Sequence, residues 1–217
     1  MVVRPDERAP IARLLRFLEQ GERLAHDCAK AQAALASEGG RDSGMSRFLI
    51  GQARQEAYHA VVFQGAIAWL APRRLGACPL LQPLERYRVL LESALRRGDF
   101  AETLLAEQII LEGLGEAILK RIEAGLVKRN APFGRLRRIL LHQEEAHHAF
   151  GCRALERTLA RGETTLEALR LSAAEYLALA EAMVATLANL FDDINEDATA
   201  WASDAKQYLP EWLTPTD

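Results

Sequence analysis

The sequence predicts an all-α protein built as an antiparallel bundle of long helices. Alanine, leucine, arginine and glutamate dominate the chain, β-branched residues are sparse, and glycine and proline cluster at a few breaks. Between the breaks, apolar residues recur with the spacing of one helix face, and no segment reads as a convincing strand. Five of the predicted helices exceed twenty residues and have short connections, which is typical of neighbours in a helix bundle.

The breaks divide the chain into a series of predicted helices. The first helix ends at SEGGRDSG, the second at APRRLGACP and the fourth at GLVKRNAPFG, because Gly and Pro interrupt a helix. The segment RGET separates the last two helices and supplies a capping Thr. We expect the short third helix to cross between the halves of the bundle and the last to add a C-terminal helix. The predicted ranges are about 10–36, 45–70, 83–99, 100–124, 135–160 and 166–191.

Length and composition limit the class of protein. With 217 residues, 49% of them apolar, the chain can form a sizeable core, and we expect one domain over 1–217. A net charge of −3, with Arg and Glu mixed throughout, predicts no nucleic-acid partner. No apolar run approaches the ~18 residues of a membrane span, and the N-terminus lacks a signal core. The three cysteines, Cys28, Cys78 and Cys152, form no CxxC pair, which favours a reducing cytoplasm.

Two of the long helices carry a Glu-x-x-His motif. The second helix contains Glu56 and His59, and the fifth contains Glu144 and His147. Because three residues make most of a helical turn, each motif can aim a carboxylate and an imidazole at one point. Two such helices facing each other would bring two of these pairs together.

The motif in the fifth helix has two possible frames, since HQEEAHH also contains Glu145 with His148. QEAYH in the second helix is matched by QEEAH when Glu144 and His147 are used, which favours that frame. Apolar residues also flank Glu145 and His148, so periodicity alone leaves the alternative frame open.

Two further long helices, the first and the fourth, each place a carboxylate within an apolar stripe. Glu22 lies among Leu and Ala residues of the first helix, and Glu112 lies among Leu and Ile residues of the fourth. Glu19 is an alternative to Glu22, and Glu107 or Glu116 to Glu112, because helix surfaces are rich in Glu. Position in the stripe favours the first choices.

Buried carboxylates need compensating charge. Ionised groups in a bundle core are costly unless they are paired or bind metal, and these stripes contain no Lys or Arg. Two divalent cations would neutralise four glutamates, and carboxylates with only two imidazoles suit iron or manganese. The predicted metal ligands, which would also be the catalytic residues, are Glu22, Glu56, His59, Glu112, Glu144 and His147.

This ligand order resembles that of the ferritin-like di-iron and di-manganese proteins, in which two helices each give a Glu and two each give a Glu-x-x-His. Over about 13–190 the chain is most similar to the aldehyde-deformylating oxygenases of cyanobacteria. The matching stretches are GERLA, ARQEAYHAVVF, LERYRVLLESALRRGDFAETLLAEQIILEG and EEAHHAFG. In that family the spacing from ligand His to Phe-Gly supports His147 as the ligand. The chain differs in having Gln143 where members tend to have Asp.

The resemblance implies a ferritin-like four-helix bundle that binds two iron ions, with manganese possible. It implies activation of dioxygen to oxidise a small, mainly apolar organic substrate, with electrons from a separate ferredoxin or reductase because no flavin or nicotinamide fingerprint is visible. The alternatives are an iron-handling ferroxidase or storage protein, and a di-manganese enzyme that disproportionates peroxide. Gly113, Gly115 and Gly151 are expected to leave room for substrate beside the metals.

Aromatic residues away from the motifs have structural interpretations. Tyr58 lies inside the first Glu-x-x-His motif, and we expect it to be a core or interface residue. The tryptophans Trp69, Trp201 and Trp212 are far in sequence from the predicted ligands, and we expect them to be packing residues.

Overall fold

The prediction of an all-α protein is confirmed over the part of the chain that the structure describes. The computed structural model describes residues 3–71, 82–187, 193, 197, 199–200, 203 and 208–213, and their regular structure is entirely helical. Cys78 and Trp201 lie outside these ranges. The elements are α1 (Arg8–Glu38), α2 (Ser43–Leu70), α3 (Gln82–Arg97), α4 (Phe100–Leu104), a π-helix (Leu105–Leu111), α5 (Glu112–Lys128), α6 (Gly134–Ala160), α7 (Leu166–Thr186) and a 3-10 turn (Glu211–Leu213).

The predicted helix boundaries lie close to the observed ones because residues next to the helix ends cap or interrupt the helices. Asp42 accepts a hydrogen bond from the Gly44 amide before α2, and Thr165 accepts one from the Ala168 amide before α7. The connections at Gly98 and Gly162 both need a φ of +69°, which glycine adopts without strain. The sequence predicts that the last helix extends to residue 191, but α7 ends at Thr186, and 188–192 lie outside the described residues.

Two helical hairpins form the centre of the bundle. The pair α1 and α2 makes the most extensive helix–helix contact, and α6 packs against α5 and the π-helix. The short helix α3 contacts α1, α4 and α7, while α7 lies against α3 and the π-helix. The predicted short third helix and additional C-terminal helix are therefore present, and α7 covers the side of the bundle where the π-helix lies.

The π-helix replaces what the sequence pattern predicted as ordinary α-helix. The seven residues Leu105–Leu111 form i→i+5 hydrogen bonds between α4 and α5, and the hydroxyl of Tyr87 donates to the carbonyl of Ala106 in this segment. Residues five apart diverge on an α-helix but come close to alignment on a π-helix, so Glu107 and Glu112 reach the same side. Apolar periodicity carries no signal for this change because every residue of the segment is buried.

Gly151 allows α6 to approach the π-helix. A Cβ atom at Gly151 would lie 2.3 Å from the Cβ of Gln108 and 3.2 Å from its backbone carbon. The expectation that Gly151 leaves room for substrate is therefore wrong, because the neighbouring helix already fills that space. Among the residues that the structure describes, every helix falls short of the length and apolarity that a membrane crossing requires.

Candidate metal centre

The six predicted ligands lie together in the interior of the bundle. All six are buried, with exposures between 0% for Glu56 and His59 and 9% for Glu22. Their ligand atoms form two groups, each with atoms within 4.8 Å of one another. One group is Glu22, Glu56, His59 and Glu144, and the other is Glu56, Glu112, Glu144 and His147.

The arrangement follows from four helices that each present the middle of a buried stripe. Glu22 comes from α1 and Glu112 from the first turn of α5, directly after the π-helix. The helices α2 and α6 each give one Glu-x-x-His pair. Glu56 and Glu144 belong to both groups, and they are therefore the residues placed to bridge two cations.

The Nδ1 atoms of both histidines face carboxylates. Nδ1 of His59 lies 2.9 Å from Glu144 Oε1 and 3.2 Å from both Glu56 Oε2 and Glu22 Oε2. Nδ1 of His147 lies 2.8 Å from Glu56 Oε1 and 3.7 Å from Glu112 Oε1. Either a proton or a metal ion must stand between a ring nitrogen and so many carboxylate oxygens.

Several of these buried atoms have no hydrogen-bond partner. Both carboxylate oxygens of Glu56, Oε1 of Glu144 and Nδ1 of His147 are fully buried without a hydrogen bond, although oppositely charged atoms lie close by. The close contacts lack hydrogen-bond alignment, and an unsatisfied buried charge costs several kcal/mol, on the order of 3 or more. Lone pairs that converge without donors fit a bound cation, and the donor set of carboxylates and imidazoles suits iron or manganese.

Electrostatics without a metal force protons onto the cluster. Burial, together with the nearby Glu112 and Glu22 carboxylates, raises the pKa of Glu144 well above its ordinary value, and burial raises the pKa of Glu22 likewise. Burial opposes the charged form of His147, but Glu112 and Glu56 outweigh it and raise its pKa to about 10. Burial also opposes ionisation of Glu56, yet contact with both imidazoles lowers its pKa. Because the metal-free cluster holds extra protons, cation binding must release them.

Two glutamines hold the histidines in a reciprocal arrangement across the bundle. Gln143 on α6 accepts from Nε2 of His59 on α2 at 2.8 Å, and Gln55 on α2 accepts from Nε2 of His147 on α6 at 2.7 Å. With the proton on Nε2, the lone pair of each ring is at Nδ1 and points into the carboxylate cluster. The repeated Gln-Glu-x-x-His in the sequence is therefore one motif used twice, each copy orienting the other copy's histidine.

Glu145 and His148 do not join the cluster. The Glu145 side chain is 44% exposed and pairs with Lys120 at 3.5 Å, while Nε2 of His148 bonds to the backbone carbonyl of Tyr208 at 2.9 Å. The frame with Glu144 and His147 is thus the one that faces inward.

The alternative carboxylates have other partners. Glu19 is buried but pairs with Arg16 and Arg23, and Glu116 pairs with Lys120 at 2.6 Å. Glu107 is fully buried beside Glu112, and burial followed by the Glu112 charge raises its pKa well above the ordinary value. Of the three alternatives, Glu107 alone adjoins the cluster, although it belongs to neither of the two groups.

A layer of buried amides supports the cluster, and sequence reasoning missed it. The Gln52 amide donates to Glu107 Oε1 at 2.9 Å and to Glu112 Oε1 at 2.7 Å. Gln108 donates to Gln52 at 3.3 Å and exchanges two hydrogen bonds with Gln32. Glutamine within an apolar stripe was the available signal, since an amide is buried only with partners. This network fixes the position of Glu112 through Gln52.

A small cavity opens beside three of the carboxylates. Its volume is about 40 Å³, and it reaches Glu22, Glu112 and Glu144 between α1 and α5. Gly21 and Gly115 line it, and a Cβ at either glycine would meet no atom within 4 Å. The expectation of open space is therefore supported at Gly115. The remaining lining residues are Phe17, Leu18, Ala25, Leu84, Leu111, Leu114 and Ile118.

Gly113 does not face this cavity. A Cβ at Gly113 would lie 2.8 Å from Cβ of Tyr208, so the glycine accommodates the C-terminal segment instead of a substrate. Next to His147, the Phe48 ring stacks on the Phe150 ring with 4.0 Å between ring centroids. It also makes an edge contact with the His147 ring, with 6.2 Å between centroids. Aromatic packing there excludes water from one side of the cluster.

Each of the two groups of buried ligand atoms could hold a metal ion. No protein-family model and no curated protein matches the chain.

Replacing the two adjacent histidines should have different effects. We expect His147→Ala to abolish cation binding in the group that contains Glu112, because it removes a ligand atom from the centre of the cluster. His148→Ala should leave cation stoichiometry unchanged, because His148 bonds only outside the cluster. Equilibrium dialysis with Fe(II) or Mn(II) measures both. If His148→Ala lost cation binding and His147→Ala retained it, the frame with Glu144 and His147 would be wrong.

The glutamine arrangement predicts an effect on cation affinity without loss of a ligand. Gln143→Ala should weaken cation binding by ~10–100-fold, because His59 loses the acceptor that orients its ring. Gln143→Glu should retain most of the affinity, since a carboxylate also accepts from Nε2. Gln64→Ala is the matched control, because Gln64 lies on α2 but bonds to Glu19. Titration calorimetry measures the affinities, and equal affinities for Gln143→Ala and Gln64→Ala would contradict the role of Gln143.

Proposed function

We propose that the chain is a non-haem di-iron protein that activates dioxygen to oxidise a small, mainly apolar organic substrate. The observation that carries the proposal is the buried set of four carboxylates and two imidazoles in two groups that share Glu56 and Glu144. In the described part of the chain, these four carboxylates form ion pairs with His59 and His147 and with no Lys or Arg. Two divalent cations would balance four ionised glutamates.

The placement of the ligands supports a ferritin-like assignment. One Glu comes from α1 and one from α5, while α2 and α6 each give a Glu-x-x-His pair, which is the ligand pattern described for that class. The short α3 and the additional α7 fit the bundle that the resemblance to aldehyde-deformylating oxygenases implies. We infer the finer family relationship from these features and from the stretches that resemble that family.

The chemistry would be divided between the metal and the chain. Two ferrous ions would supply electrons that reduce dioxygen, and an external donor such as a ferredoxin would restore them. Glu22, Glu56, Glu112 and Glu144 would hold the ions, and His59 and His147 would complete the two groups. Gln55 and Gln143 keep both ring protons on Nε2, away from the reacting centre.

The cavity supports a small reactant. A volume of about 40 Å³ holds a few waters or dioxygen, on the scale of ~10–15 Å³ for each water. Apart from the carboxylates and two glycines, its lining is apolar. This lining favours an uncharged reactant at the carboxylate end.

The narrow cavity is also the observation that favours a second candidate function. A cavity of about 40 Å³ has room for a metal ion or hydrogen peroxide. An iron-handling ferroxidase, or a manganese enzyme that disproportionates peroxide, would use the same six ligands. The three functions differ in the reactants that the metal-bound protein consumes: dioxygen with an organic compound, dioxygen with Fe(II), or hydrogen peroxide.

Reconstitution with Fe(II) under anaerobic conditions tests the proposal. We expect two iron ions per chain, followed by an optical change and dioxygen uptake when oxygen is added. Catalytic oxygen uptake that depends on an external reductant and an apolar compound supports the oxygenase. Uptake that depends only on added Fe(II), with formation of ferric mineral, overturns it in favour of iron handling. Peroxide disproportionation by the Mn(II) form alone overturns it in favour of the manganese enzyme.

Filling the cavity should slow the reaction without removing metal. Gly115→Leu places a side chain where the built Cβ meets nothing within 4 Å, so the cavity loses volume close to Glu112. We expect unchanged iron stoichiometry and at least a roughly tenfold slower reaction of the reduced form with dioxygen or substrate, a barrier increase of about 1.4 kcal/mol. Gly125→Leu on the same helix is the control, because Gly125 is equally unobstructed but does not line the cavity. Equal rates for the two variants would show that dioxygen or substrate reaches the cluster by another route.

A further inference from the structure

The helix α2 is apolar on both of its faces. Its inner face carries the cluster ligands and packs into the core, yet its outer face exposes Ile50 by 43%, Tyr58 by 50%, Val61 by 61% and Trp69 by 67%. A surface helix of a globular protein normally has a charged or polar outer face, and a helix that is apolar all round is normally buried. The outer face of α2 therefore lacks a covering partner within the described part of the chain.

The exposed side chains form one continuous strip. At 100° per residue, positions 50, 54, 57, 58, 61, 65, 68 and 69 fall within a sector of about 120°, and they extend over about 29 Å of helix. Between the large side chains lie Ala57, Gly65 and Ala68, all exposed. Small residues beside large ones give the strip hollows into which another helix can fit.

The strip is almost free of charge. From position 50 to position 69 its one charged side chain is that of Arg54, since Glu56 and His59 face the core. An acidic electron carrier would require a cluster of basic residues for its recognition, and this strip has none. An uncharged and apolar strip instead suits a partner surface of the same kind.

We propose that the outer face of α2 is the two-fold interface of a homodimer, in which a second copy of this chain packs its own α2 antiparallel to the first. With Val61 at the two-fold axis, Tyr58 lies opposite the partner's Gln64 and Gly65, and Ala57 lies opposite the partner's Gly65. Arg54 then approaches the partner's Trp69, where a guanidinium can stack on an indole. The strip is thus complementary to itself.

The size of the strip agrees with such an interface. Its four large apolar side chains expose an area on the order of 500 Å², at the upper end of what monomers tolerate. A stable interface buries ~800 Å² per partner, and the flanking residues of α2 can supply the difference. Trp69, which is 67% exposed, would gain in the dimer the packing role that we expect from the sequence. The dimer also gives Tyr58 the interface role.

Molar mass in solution tests the proposal with matched variants. Light scattering after gel filtration, at tens of micromolar chain, should give the parent twice its chain mass of 24.1 kDa. Val61→Glu should shift the mass to that of one chain, because two glutamates would meet at the axis. Leu171→Glu on α7 replaces another exposed apolar residue, 77% exposed and outside the strip, and should leave the dimer intact. Both variants should keep their helical circular dichroism and cation stoichiometry.

Crosslinking locates the axis independently. In a chain carrying Cys78→Ser and Cys152→Ser, where Cys28 is buried, Val61→Cys should crosslink to itself through a short bifunctional thiol reagent, whereas Leu171→Cys should not. A parent of single-chain mass overturns the proposal, whether the strip then binds a lipid vesicle or another protein. A Val61→Glu variant that stays dimeric, or crosslinking through Leu171→Cys alone, also overturns it by placing the interface elsewhere.

Discussion

The burial of four glutamates around two imidazoles is the constraint on which the rest of this structure depends. In a dry interior, carboxylates repel one another and lose hydration, so their charge must be balanced by protons or cations. Without metal, the pKa values of Glu22, Glu144 and His147 rise and the cluster retains protons. The preformed site therefore has an unfavourable electrostatic free energy in the folded bundle, and cation binding offsets it.

Neutral side chains hold this charged centre in place. Gln55 and Gln143 orient the two histidines from opposite helices, and Gln52 donates to both Glu107 and Glu112. Amides suit this position because they donate or accept without adding charge to a cluster already rich in carboxylates. The π-helix completes the arrangement, since it brings Glu107 alongside Glu112 and lets one amide serve both.

The two faces of α2 connect the centre with the proposed assembly. Its inner face gives Glu56 and His59, and its outer face gives the apolar strip around Val61. The cavity opens elsewhere, between α1 and α5, so a second copy on α2 would leave reactant access free. A dimer of this form would also restrain the helix that supplies both a bridging carboxylate and a ligand imidazole.

The helices and many of their inward-facing residues could be predicted from the sequence, because helical periodicity and capping are local properties. Glu22 and Glu112 could be selected because each lies in an apolar stripe that repeats every three to four residues, whereas Glu56 and Glu144 were selected by the repeated Gln-Glu-x-x-His motif. Tertiary structure alone decided the contacts between helices. It paired Glu19 and Glu116 with basic residues, placed Gly151 against Gln108 and Gly113 against Tyr208, and crossed each glutamine to the opposite histidine. Those outcomes depend on the register and separation of neighbouring helices, and on a π-helix within an entirely buried segment. Periodicity along the sequence specifies none of these features.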